Sequence, residues 1–70
     1  MIFFFEQGGQ YMRCELLPLP DGECELVVTA PEGQQTVEIL EGSAGVTRRM
    51  TELQQSLAND GWWGPIGRGI

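Results

Sequence analysis

Two thiols and four guanidinium groups are the reactive side chains most worth testing in this chain: Cys14, Cys24, Arg13, Arg48, Arg49 and Arg68. There is no lysine and no histidine. The usual general bases of neutral pH are therefore missing, which argues against an enzyme. A nucleophilic cysteine needs a basic neighbour, and only arginine could supply one. Both cysteines fall on the inward phase of their strands, where a thiol packs as a small apolar group. With the intervening turn centred near Pro20-Asp21, Cys14 lies opposite residues 26–28 and not opposite Cys24. The two alpha carbons then exceed the ~7 Å limit of a disulfide. Free thiols fit a cytoplasmic protein better than a disulfide framework does.

Metal and phosphate chemistry are also poorly supplied. Eight glutamates and two aspartates are scattered without calcium-loop spacing, and no imidazole is available. Glu23 and Glu25 flank Cys24 as a solvated strand edge. The glycines at 8–9 and 64–67 are not followed by the Gly-Lys-Ser/Thr of a phosphate loop. No cofactor or metal is expected. The Arg48-Arg49 doublet has Glu52 four and three residues on, which reads as an exposed, ion-paired helix face; its alternative is a phosphate contact. Trp62 reads as the closure of a helix end and Trp63 as an exposed binding anchor, since tryptophan is enriched at interface hot spots.

One helix and four strands must position these groups. Residues 43–61 place Val46, Met50, Leu53 and Leu57 on one narrow helical stripe. Ser43 is the expected N-cap, Glu41 suits the positive end of the dipole, and Gly61 suits the left-handed stop, with Trp62 packing back on Leu57. Upstream, residues 2–7, 10–17, 23–30 and 35–40 read as strands. Gly8-Gly9, Pro18–Gly22 and Pro31–Gly33 turn the chain between them. Met12, Cys14 and Leu16 share a face with Cys24, Leu26 and Val28, and Val37 and Ile39 are expected to point inward. The fold class is α+β: a four-stranded antiparallel meander followed by one C-terminal α-helix packed on one sheet face. Residues 1–70 form a single small domain, in which 64–70 are expected to be a frayed, glycine-rich tail.

The second sheet face is the most informative feature. Tyr11, Leu17, Val27 and Leu40 fall there with Arg13, Glu15, Thr29 and Glu38, joined by Phe3 and Phe5 or by Ile2 and Phe4. That is too apolar for a face left in water and points to self-association or a protein partner. The candidate interaction surface is Tyr11, Val27, Leu40 and Trp63. A chain this small is marginal alone, which strengthens the case for a homodimer or an accessory subunit. The formal net charge of −6 repels nucleic acid and anionic membranes and attracts basic partners. No signal peptide or membrane span is visible.

Four strands and then a helix resemble, in element order, the small dimeric single-strand DNA-binding cofactors of transcription. The resemblance implies an alternative function, single-strand binding by Arg13, Arg48 and Arg49 with stacking tryptophans. Those modules use basic grooves, and this chain supplies the aromatics without the charge. A thiol-based redox or small-ligand protein using Cys14 is the remaining alternative.

Overall fold

The computed structural model describes residues 1–67. It is an antiparallel sheet with a helix packed on it, as the α+β class requires, but with five strands and with the helix between the fourth and the fifth. The strands are β1 (Ile2–Gln7), β2 (Gln10–Pro18), β3 (Glu23–Thr29), β4 (Gln35–Glu41) and β5 (Trp63–Gly67), and α1 spans Gly42–Asn59. Their order across the sheet is β4-β3-β2-β1-β5.

The first three connections are hairpins, as short turns dictate. Gly8-Gly9 makes a two-residue turn that leaves Gln7 opposite Gln10. A single 3-10 turn at Pro20–Gly22 joins β2 to β3. The register then sets Phe3 opposite Cys14, Cys14 opposite Val28, and Leu16 opposite Leu26. These side chains share the face beneath the helix.

That face holds the core: Phe3, Phe5, Cys14, Leu16, Leu26 and Leu40 from the sheet, with Leu53 and Leu57 from α1. Phe3 and Phe5 meet edge to face with ring centroids 6.1 Å apart. Val46, Met50 and Trp62 pack around this cluster, so the helical stripe at 46, 50, 53 and 57 is the buried stripe.

The phase of β4 is a correction. Cys24 pairs with Leu40 and Val27 pairs with Val37, so Leu40 points into the core and Val37 and Ile39 point away from it. Leu40 is buried, whereas Val37 is 58% and Ile39 50% exposed. Alternation fixes which residues share a face but not which face is inside. Leu40 is also the last apolar residue before α1, where the chain is already turning over the covered face.

The helix start is a second correction. Ser43 lies inside α1, the N-cap position is Glu41, and no side chain makes a capping bond there. The stop is as expected. Gly61 adopts φ +88°, Trp62 N–H donates to Leu57 O at 2.9 Å, and Gly61 N–H donates to Ala58 O at 3.0 Å. This is a Schellman motif, which satisfies two end carbonyls and directs Trp62 back to the core. Gln7 Nε2 ties the same helix end to β1 by donating to Asp60 O at 2.8 Å.

The third correction is the tail. Residues 63–67 are β5, antiparallel to β1, with Phe4 opposite Ile66 and Glu6 opposite Trp63. An edge strand uses one side of its ladder only, so Pro65 is tolerated there. Gly64 is what allows the close approach: at φ +154°, a Cβ built on it would stand 2.8 Å from Phe4 O and 2.7 Å from Phe5 Cδ2. The expected fraying at 68–70 lies outside the described residues.

Candidate functional site: the open sheet face

Helix α1 covers one side of the sheet. Among the described residues no element covers the other, because β5 lengthens the sheet and does not fold across it. The open face can be read row by row from the register. Ile39, Glu25 and Leu17 form one row. Val37, Val27, Glu15 and Ile2 form the next, followed by Gln35, Thr29, Arg13, Phe4 and Ile66. Tyr11, Glu6 and Trp63 close the far end.

The middle of this surface is apolar. Ile2, Phe4, Val27 and Ile66 are half-buried by their neighbours alone, and Tyr11, Leu17, Val37 and Ile39 are exposed. Phe4 and Tyr11 meet nearly perpendicular with centroids 6.4 Å apart. Trp63 is 67% exposed, which leaves a large aromatic free at one corner.

The candidate surface therefore holds Tyr11, Val27 and Trp63 but not Leu40, which lies on the other side of the sheet in the core. Ile2 and Phe4 are the pair from β1 that joins it. Val37 and Ile39 belong to it as well and were missed through the inverted phase of β4. A strand placed directly before the helix was the available signal for that phase.

The charged groups on this face are unbalanced. Glu6, Glu15, Glu23, Glu25 and Glu41 all fall on it, against the single cationic side chain Arg13 among the described residues. Arg13 Nη1 reaches Glu15 Oε1 at 3.2 Å. Glu6 Oε2 accepts a hydrogen bond from Gly9 N–H at 3.1 Å. Glu23, Glu25 and Glu41 have no ion-pair partner among the described residues.

The other candidate contacts do not assemble. Arg48 and Arg49 are on α1, on the opposite side of the sheet from Arg13. Arg49 Nε donates to both carboxylate oxygens of Glu38, at 3.0 and 2.9 Å, and its Nη1 lies 3.9 Å from Glu52. A groove of about 380 Å³ beside them, between β4 and α1, is lined by Glu38, Glu41 and Glu52 as well as by the two arginines. Arg49 is thus ion-paired on the helix side of the sheet, and Arg48 makes no ion pair among the described residues.

Cys14 is buried, and burial pushes its thiol up to about 11 from an ordinary 9.0. It stands opposite Val28, while Cys24 stands opposite Pro18, and both thiols are free. No group of three or more metal-ligating side chains occurs among the described residues. No described helix is long and apolar enough to cross a membrane. Comparison with protein-family models, with curated proteins and with solved structures finds no match, so the functional reading rests on this chain's own residues.

Proposed function

We propose that this chain is a non-enzymatic protein-interaction module, an accessory subunit or self-associating unit whose open sheet face is the docking surface. The observation that carries the reading is the uncovered row of Val37, Val27 and Ile2 with Phe4 and Ile66 beside it. A solvated antiparallel face alternates apolar-in with polar-out, and this one keeps large apolar groups on both sides. The size is adequate. Five strands about 4.8 Å apart and about seven residues long give a plan area of roughly 500 Å² per partner. Burying it against a second surface reaches the ~1,000 Å² total of a specific interface.

The test is a differential capture. Tagged wild type, Val27→Glu and the helix-surface control Gln55→Glu are compared for the soluble proteins they retain, an untagged copy of the chain included. Retention that survives Gln55→Glu and is lost in Val27→Glu supports the open face. A retained set that Val27→Glu leaves intact removes this face from the function.

A further inference from the structure

We infer that the occupant of the open face is a cationic amphipathic helix of another protein, and not a second copy of this chain; the inference rests on the docking role proposed above. Charge selects between the two. Among the described residues the face carries Glu6, Glu15, Glu23, Glu25 and Glu41 with Arg13 as the one cationic side chain. Packing it on itself would set two such acidic surfaces together in a medium where carboxylates interact strongly. A carboxylate that loses water needs a cation or hydrogen-bond donors in return. Glu25 is the sharpest case. It is half-buried between Leu17 and Ile39, has no ion-pair partner among the described residues, and would be covered by anything seated on the row. Among the described residues, a copy of this chain offers that row no side-chain cation beyond Arg13, which already holds Glu15. A lysine- or arginine-bearing partner answers Glu23, Glu25 and Glu41, which have no ion-pair partner among the described residues.

The shape of the occupant follows from the covered face. The same strands, seen from behind, accept α1 through one stripe of Val46, Met50, Leu53 and Leu57. An 18-residue helix is about 27 Å long. Five strands at about 4.8 Å make a sheet of similar breadth. A second helix laid across the open face would bury Val27, Val37 and Phe4 beneath its apolar stripe and point basic flanks at Glu25 and Glu15. The result is a sheet between two helices, one of them from the partner.

A defined probe tests this: an 18-residue peptide of leucine and lysine at helical spacing, with a leucine and glutamate peptide of the same pattern as its control. Titration of the full chain, followed by calorimetry and by Trp fluorescence, is expected to show one lysine peptide bound per chain, weaker as salt rises, and no binding of the glutamate peptide. Glu25→Lys should weaken binding by about ten-fold at low salt, because it replaces a complementary charge with a like one. Arg48→Glu, off the face, should not weaken it although it makes the chain more acidic. Equal binding of both peptides, or no effect of Glu25→Lys, overturns the cationic partner. A wild type that sediments as two chains, and as one after Val27→Glu, assigns the face to a second copy; it overturns this inference and leaves the docking role standing.

Discussion

Gly64 shows how one side chain less can decide an element. Its φ of +154° and the 2.8 Å that a Cβ would leave to Phe4 O make it the only comfortable residue type at that point of β5. Gly64→Ala should cost about 1–3 kcal/mol, the range for a strained backbone position, and should loosen β5 from β1. A lowered denaturation midpoint with faster amide exchange at Ile66 checks it. Ser43 is the opposite case. It lies inside α1 and makes no cap bond, so Ser43→Ala should stay within about 0.5 kcal/mol of wild type in urea unfolding. Cys14 gives a pH prediction with a definite sign. Its thiol titrates at about 11 when folded against 9.0 as the ordinary value, so between those pH values the native state keeps a proton that the unfolded chain has lost. The stability linked to this group is complete below pH 9 and disappears as pH rises through about 11. Unfolding midpoints measured from pH 8 to 11 should fall, and the Cys14→Ala variant, less stable throughout, should lack this part of the slope.

Element by element, the packing of α1 closes the core over the buried sheet residues. Leu53 is buried at the centre of its stripe, so Leu53→Ala should cost roughly 2–5 kcal/mol and unfold much of so small a domain, as near- and far-ultraviolet circular dichroism would show. This helix was legible because four apolar residues at helical spacing and a glycine stop leave few alternatives. The hairpins were legible for a similar reason: Gly8-Gly9 and Pro20–Gly22 can hardly be anything but turns, although β2 runs on through Pro18, where a break was expected. The phase of β4 was not, since Val37, Ile39 and Leu40 satisfy either orientation until the pairing of Cys24 with Leu40 decides it. The fifth strand was hidden by its composition. Gly64, Pro65 and Gly67 have low strand preference and outnumber Trp63 and Ile66, and what orders the segment is the free edge of β1, a tertiary fact absent from any local window. Of the candidate surface, Tyr11 and Val27 were within reach of alternation and Trp63 within reach of its residue type alone, while Val37 and Ile39 went missing with the phase of their strand.

At the scale of the whole molecule, one sheet has two apolar sides and one helix. The covered side explains the stability of the chain, and the open side is where its work is proposed to lie. The most direct measurement is methyl-resolved solvent paramagnetic relaxation on the free chain and on the chain with the leucine–lysine peptide. The account predicts fast relaxation at the methyl groups of Val27, Val37, Ile39 and Ile66 in the free chain, beside protected Leu26, Leu53 and Leu57, and protection of the first set once the peptide is bound. Open-face methyl groups that are already shielded in the free monomer, or that stay fully accessible with the peptide bound elsewhere, would contradict it.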